Sequence, residues 1–452
     1  MEGPIWGGGA YPLSGVTGWP DWGSVTSEPM GGGVKMVELA QNYHELEKCT
    51  EDILSVIKPT EDDRNKRLHA IQELVNSIYL VSSLRDAAVK PFGSFVSNLY
   101  AKSGDLDVSV ELPNKYGFPT SKEKKQDVLR KLMIALQLEG VARDVNFIPA
   151  ARVPILQYVS NRFGISCDIS IDNYTGRIKS KVLYWISTID ERFGDMVLLV
   201  KEWAKAQNIN DPKNGTLNSY SLCLLVLFHF QTCKPAILPP LKEIFDVDIP
   251  EGRAFNEKSL DKVCVENIAK FRRKDTGQRN QSSLSHLLAT FFEKFCQIDT
   301  YSSERRISTY TGEIKRSLYW GTRYCCLFVE DPFQRSENAA RTVDMLELPR
   351  ISRAFTRAKN MISDSRADRN ELLSLLCTPE VGSKLGVAAT AGRYTNPGTS
   401  HRQHGLRGFL AANGYRDQYD QRARGSTGSR PTHSSGRAAK PYESQQPNCQ
   451  QM

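Results

Sequence analysis

Three carboxylates on two short alternating runs are the side chains of this chain best placed to do chemistry. The first run reads Gly104-Asp105-Leu106-Asp107-Val108-Ser109-Val110-Glu111-Leu112. Side chains alternate across a strand with a period of two, so Leu106, Val108, Val110 and Leu112 share one face and Asp105, Asp107, Ser109 and Glu111 share the other. Asp105 and Asp107 thus leave the start of a strand together. The second run, Ile165-Ser166-Cys167-Asp168-Ile169-Ser170-Ile171, turns its apolar residues inward and Asp168 to the opposite face. Taken singly, each run also fits a half-exposed strand with an acidic solvent side. Three carboxylates on adjacent strands, however, repel one another unless cations sit between them. Hard divalent cations prefer such oxygen ligands, so the set suits a pair of magnesium or manganese ions.

A phosphate-handling element precedes the first run. In Pro91-Phe92-Gly93-Ser94-Phe95, glycine lets backbone approach a phosphate closely, and a helix starting at Ser94 aims free N–H groups at an anion. Ten residues separate Ser94 from Asp105. Further on, Lys201 and Lys205 stand four apart on a predicted helix, so both ammoniums leave one face, while Val197, Val200 and Ala204 pack it down. They fit either an anion site or a solvated face. Asn218-Ser219-Tyr220 opens an apolar helix running to about residue 231, with Ser219 a candidate N-cap.

These residues need elements to hold them. Amphipathic helices are expected over 36–57 and 61–85, separated by Pro59, with Glu61, Asp62 and Asp63 enriching the second start. A mixed strand–helix region continues to about 190, and a mainly helical one spans 191–376. Residues 283–298 carry a helical apolar stripe that reads as core, and His229 reads as a core residue rather than a ligand. Residues 1–34, rich in Gly, Pro, Ser and Trp, and 379–452, rich in Gly, Arg, Gln, Ser and Asn, read as disordered. With 452 residues, 40% of them apolar, the chain suffices for two domains plus tails. No run approaches the roughly 18 apolar residues of a membrane span, and the start lacks a secretory pattern. The ten cysteines are scattered without C-x-x-C spacing, which argues against a zinc site and for a reducing compartment, nucleus or cytosol. The net charge is +8, and from residue 379 onward ten basic residues face four acidic ones. That tail suits a polyanionic partner, or is merely solvated.

The Gly93-Ser94, Asp105-x-Asp107 and Asp168 pattern resembles the DNA-polymerase-β-like nucleotidyltransferases, specifically the non-canonical poly(A) polymerases and terminal uridylyltransferases. The likeness spans about residues 50–350. It includes Ala151-Arg152-Val153-Pro154-Ile155, the segment from Met196 to Lys205, Gly215-Thr216-Leu217-Asn218-Ser219-Tyr220-Ser221, and Val329-Glu330-Asp331-Pro332-Phe333. The wording around 91–112 and 218–240 is most similar to the plant small-RNA uridylyltransferases. The resemblance implies an α+β fold: a palm-like mixed sheet with helices over 36–190, facing a helical poly(A)-polymerase-associated central domain over 191–376. Nucleotide would lie in the cleft between them.

It also implies roles. Asp105 and Asp107 would bridge two divalent ions and Asp168 would hold the one at the attacking RNA 3′-hydroxyl. Gly93, Ser94, Lys201, Lys205 and Ser219 would meet the triphosphate, and Tyr220 would stack on the base. Asp331 is a base contact through water or a turn-capping residue. Familiar uridylyltransferases place a histidine a few residues after Asp-Pro-Phe, where this chain has Glu337, and the Asn-Thr of many relatives is here Lys179-Ser180. The plant branch lacks that histidine and still prefers UTP, so UTP is the expected donor and a small-RNA 3′ end the acceptor. Lys270, Arg272, Arg273 and Lys274 either line an RNA entrance or sit in a solvated loop. The implied biology is tailing of unmethylated microRNAs, siRNAs and cleaved-target fragments, promoting decay in nucleus and cytoplasm, with Argonaute-type complexes as partners. A poly(A) polymerase and an inactive RNA-binding scaffold are the rivals.

Overall fold

A computed structural model describes residues 32–113, 119–246, 256–274, 279–301, 305–316 and 326–387. The chain opens with α1 (Gly32–Ile57) and α2 (Glu61–Leu80). Thr60 starts α2 with a capping box: its hydroxyl accepts from the Asp63 N–H at 3.3 Å, and the Asp63 carboxylate accepts from the Thr60 N–H at 2.9 Å. Next come β1 (Ala88–Phe92), α3 (Gly93–Ser97), β2 (Leu106–Glu111), α4 (Lys122–Leu138), β3 (Ala142–Ile148), β4 (Ile155–Ser160), β5 (Ser166–Ile171) and α5 (Tyr174–Ser187). The five strands form one mixed sheet in the order β1-β2-β5-β4-β3. Its β2–β5 pair is parallel and the others are antiparallel.

One face of the sheet is dry. Leu106, Val108, Val110, Cys167, Ile169 and Ile171 pack with Leu74 and Ile78 of α2 and Leu129, Leu132 and Leu136 of α4. The other face of β2 is not open to solvent along its length. Ser109 is fully buried and accepts from the Asn173 N–H at 2.9 Å, and Glu111 pairs with Arg177 of α5. Only the Asp105–Asp107 end stays uncovered by α5. The acidic run is therefore no solvent-facing strand edge.

The remaining elements are α6 (Glu191–Ala206), α7 (Ser219–Thr232), α8 (Glu257–Lys274), α9 (Leu284–Phe295), β6 (Arg305–Ser308), β7 (Glu313–Arg316), β8 (Phe328–Glu330), α10 (Leu348–Ser363), α11 (Arg369–Leu376) and α12 (Pro379–Lys384). They build a helical core centred on Trp203, whose ring meets those of Phe292 and Phe355 edge-on at 4.7 Å each. The stripe over 283–298 is indeed core, and α7 is buried from Ser221 through Gln231. His229 lies in that core, and burial pulls its ring well below the usual range, which keeps it neutral. All eight described cysteines are free thiols. No helix among the described residues is long and apolar enough to cross a membrane.

Two boundaries differ from expectation. Helix α1, expected with the sheet, instead sets Leu46, Cys49 and Ile53 into the helical core against α6, α9 and α11, because its apolar stripe matches that surface. The tail expected from 379 begins with α12, whose Val381 is buried, so the helical region reaches further than composition suggested. Residues 1–31 and those beyond 387 lie outside the described residues.

One buried charge braces the chemistry from behind. Arg67 of α2 is fully buried and donates to the carbonyls of Lys102 at 2.8 Å and Gly104 at 2.7 Å, the backbone just before Asp105. Its guanidinium also lies over the Tyr100 ring at 4.8 Å. Arg67→Met should destabilise the fold by about 3 kcal/mol in urea denaturation, since the carbonyls of Asp63, Lys102 and Gly104 lose a charged donor. An unchanged midpoint would contradict this bracing role.

Candidate active site

The parallel ladder sets Asp107 of β2 directly opposite Asp168 of β5, and Asp107 faces Phe92 of β1 on its other side. Asp105 sits one residue before β2 and is exposed. The three carboxylates feel one another: burial first, then Asp168 and Asp105, push the Asp107 carboxyl up to about 7. Burial and Asp105 also raise Asp168. No three acidic, histidine or cysteine side chains among the described residues close on a common point as they stand. The expected trio is thus arrayed on neighbouring strands with its charges coupled, but not drawn together, as mutual repulsion requires.

The neighbours of these carboxylates hold them in this uncomfortable geometry. Gln157 of β4, opposite Asp168 in register, donates its amide N–H to both carboxylate oxygens at 3.0 and 3.1 Å. Asn146 in turn donates to the Gln157 carbonyl at 3.2 Å. Gly93, at φ +67°, is required for two reasons: few side chains adopt that backbone, and a Cβ there would lie 1.9 Å from Asp107 Oδ2. The Ser94 N–H donates to Asp107, and the Gly93 N–H donates to Ser180 Oγ at 2.6 Å. Neither N–H is left free for an anion, contrary to expectation; both are engaged by the protein.

Gly93, Ser94, Asp105 and Asp107 share a cavity of about 430 Å³ with Lys201 and Lys205 of α6 and with Ser219 and Tyr220 of α7. Both lysines thus reach the cavity, Lys201 from a half-buried position and Lys205 from an exposed one. Lys201 donates to the Leu99 carbonyl at 3.2 Å, and burial, then the Lys205 charge, lower its ammonium from the usual range. The helix cap of α7 is Asn218, whose side-chain Oδ1 accepts from the Ser221 N–H at 2.8 Å. Ser219 is hence not the cap; its hydroxyl faces the cavity beside Asn210.

Asp331 lines an adjoining cavity of about 510 Å³ that shares Gly176 and Lys179 with the first. It is buried, accepts from the Tyr220 hydroxyl at 3.3 Å and the Phe333 N–H at 3.0 Å, and pairs with Lys179. The turn-capping role is real, and so is the link to Tyr220. Burial and Asp331 push the Tyr220 hydroxyl well up, so it stays protonated. Glu337 is clasped by Arg152 through contacts of 2.7 and 3.3 Å, and that guanidinium holds its carboxyl below the usual range. The basic cluster is not a loop: Lys270, Arg272, Arg273 and Lys274 form the end of α8. It does not join the carboxylate cavity. Arg272 donates to the Thr188 carbonyl at 2.7 Å and lines a separate hollow with Arg192 and Arg279.

Comparison with known proteins gives this geometry a family. The model for the central palm domain of mitochondrial-like poly(A) RNA polymerases matches residues 46–188. The chain is 46% identical over 349 residues to Protein HESO1 of Arabidopsis thaliana, covering 75% of this chain and 68% of that one. It is 29% identical over 352 residues to Terminal uridylyltransferase cid1 of Schizosaccharomyces pombe, covering 72% and 81%. A crystal structure of the Cid1 poly(U) polymerase with MgGTP bound superposes with a TM-score of 0.60 at 26% identity, covering 73% of this chain and 99% of that one. The chain belongs to the non-canonical poly(A) polymerase family. It is a nucleotidyltransferase with the fold of Cid1.

Within that family fold, reading the sequence missed Gln157 and the Arg152–Glu337 clasp, while Lys179 and Ser180, noted as replacing the Asn-Thr of relatives, both line the cavity. The strand alternation of Ile155–Ser160 puts Gln157 on a polar face, but only the β4–β5 register reveals Asp168 as its partner. The raised Asp107 carboxyl has a consequence for stability. Between about pH 4 and 7 the folded chain binds a proton there that the unfolded chain has lost, so this group's contribution falls as pH rises through that window. Asp107→Asn should therefore be more stable than the parent at pH 8 in EDTA, by on the order of 1 kcal/mol, with the gap closing toward pH 4. Equal melting at pH 8 would contradict it.

Proposed function

We propose that the chain transfers UMP from UTP to the 3′-hydroxyl of a small RNA without a template. The observation that carries this reading is the pairing of Asp107 with Asp168 beside a cavity rimmed by Lys201, Lys205, Ser219 and Tyr220. A polyanionic triphosphate needs cationic walls, a planar base needs an aromatic surface, and the reacting end needs oxygen ligands for cations.

The donor set fits hard divalent ions, magnesium or manganese: burial first, then the neighbouring Asp168 and Asp105, push the Asp107 carboxyl up to about 7, and such charge would relieve both. Asp105, Asp107 and Asp168 would hold the ions, which when bound supply activation of the 3′-hydroxyl and neutralisation of the leaving pyrophosphate. The other groups position. Lys201 and Lys205 offset triphosphate charge, and the Ser219 hydroxyl donates to a phosphate oxygen. Tyr220 stacks on the base, a sequence-tolerant contact worth about 1–3 kcal/mol, so it does not choose the base. Gln157 keeps the Asp168 carboxylate oriented, and Gly93 lets the loop close over Asp107.

UTP as donor is supported by the likeness to cid1, named as a terminal uridylyltransferase. AMP addition from ATP is the second reading, favoured by the 28% identity to Poly(A) RNA polymerase cid11 of the same yeast. Small-RNA tailing in nucleus and cytoplasm, on Argonaute-type complexes, rests on the sequence resemblance to the plant branch. Purified protein with a short unmodified RNA, magnesium and each nucleotide alone should add UMP most efficiently. Asp105→Ala and Asp107→Ala should lose addition while melting cooperatively. Homopolymeric adenylate from mixed nucleotides, or near-normal activity in either variant, would overturn the reading.

A further inference from the structure

Beyond Asp168 the sheet continues for two more strands, β4 and the edge strand β3. We propose that Gln157 of β4 and Asn146 of β3 form the acceptor-ribose subsite, where the 2′-hydroxyl of the RNA's last nucleotide donates to their side-chain oxygens. This rests on the transfer reading above, whichever base is donated, and deepens it.

Ladder register lays one row of side chains across the sheet. Asp107 stands opposite Asp168, Asp168 opposite Gln157, and Gln157 opposite Asn146. The cavity rimmed by Lys201, Lys205 and Ser219 takes in Asp105 and Asp107 but not Asp168. A triphosphate in that cavity leaves Asp168 to face the attacking strand, which in-line displacement brings from the opposite side. The sheet is bare there. Helices α2 and α4 cover its other face, and α5 covers the far end of β2. Ile155 and Val159, which flank Gln157 on its side of β4, are half-buried and belong to neither core, and Asn146 is exposed. Burial raises the Asp168 carboxyl, while the Gln157 hydrogen bond and the charge of Lys213, exposed in the turn before α7, pull the other way. An apolar pair, two amides and a nearby cation suit the sugar and phosphate of a strand end.

The carboxylate fixes which way both amides point. An ionised carboxylate only accepts, so Gln157 turns its NH2 group to the Asp168 oxygens, at 3.0 and 3.1 Å, and its Oε1 away. Asn146 must then turn its own NH2 group to that oxygen, at 3.2 Å, which leaves its Oδ1 outermost. Each amide oxygen has two lone pairs. Asn146 occupies one on Gln157, so the other and those of Asn146 face outward. Such a patch, one strand spacing of about 4.8 Å from Asp168, asks for a donor. With the 3′-oxygen at Asp168, the adjacent 2′-oxygen turns toward Asp107, where the reacting phosphate lies, or toward Gln157. Only the second direction is free. A 2′-hydroxyl donates there; hydrogen or fluorine on the same carbon does not. Amides also supply the acceptors without adding a fourth charge to a crowded trio.

The test measures kcat/KM for one short RNA ending in ribose, 2′-deoxyribose or 2′-fluororibose, with the nucleotide that the wild-type chain adds best. Fluorine keeps a small electronegative group without the donor, so a loss shared by both analogues reports the hydrogen bond. The wild-type chain should favour the ribose end over either analogue by about tenfold. Asn146→Ala, an exposed change on an edge strand, should melt as the parent does and cut that preference about threefold, through KM for RNA rather than for the nucleotide. Gln157→Met also removes the donor to Asp168, so its kcat should fall on every end and its preference to about twofold or less. If that variant melts early, Asn146→Ala carries the test. A wild-type chain indifferent to the 2′ group, or an Asn146→Ala chain with undiminished preference, overturns the subsite and leaves the transfer reading standing. A wild-type chain that extends none of the three ends overturns the transfer reading and the subsite with it.

Discussion

Repulsion among Asp105, Asp107 and Asp168 is the constraint around which this chain is arranged. Backbone register, not attraction, holds these groups together: the parallel β2–β5 pair sets Asp107 against Asp168 whatever their charges prefer. The fold then compensates locally. Gln157 donates to one carboxylate and the Ser94 N–H to another, and Arg67 ties down the backbone that delivers the third. A side chain larger than hydrogen at position 93 would collide with Asp107. Such crowding has a cost in the fold alone and becomes useful only when cations share the site, as in many active sites whose geometry opposes stability.

Helix α5 is the element through which sheet and helical core meet. Its Arg177 closes the far end of β2, its Ser180 holds the Gly93 turn, and its Lys179 reaches Asp331 and Tyr220. Meanwhile Ile178, Val182, Leu183 and Ile186 belong to the helical core. The cleft is consequently lined by groups whose positions depend on both cores at once. A change in how α5 seats would move the carboxylate end and the base end together.

Much of this was legible before any coordinates. Strict alternation in 106–112 and 165–171 exposes its own core face, because one side of each strand is dry and only that register buries it. The spacing of Gly93-Ser94 from Asp105-x-Asp107 singled out four residues that do line one cavity, and the unbroken apolar run of α7 could only be buried. What stayed hidden depends on pairings between distant segments. Nothing local marks Arg67 as a buried brace, since its partners are carbonyls, which leave no signature in sequence. Gln157 looks like any polar strand residue until β4 lies against β5. Asn218 outcompetes Ser219 as the cap because the helix starts one residue earlier than the serine suggested. The cluster from Lys270 to Lys274 read as a loop for want of apolar residues at its end, yet it completes the last turn of α8. Helix α1 displays the right apolar stripe but carries no label for which of two cores it serves.

Manganese soaked into crystals with a non-hydrolysable UTP analogue would test the central claim most directly, through anomalous scattering that locates the ions without reference to activity. Two peaks bracketed by Asp105, Asp107 and Asp168, with the triphosphate reaching toward Lys201 and Lys205, are expected. Peaks elsewhere, or a nucleotide bound with the three carboxylates taking no part, would contradict the account.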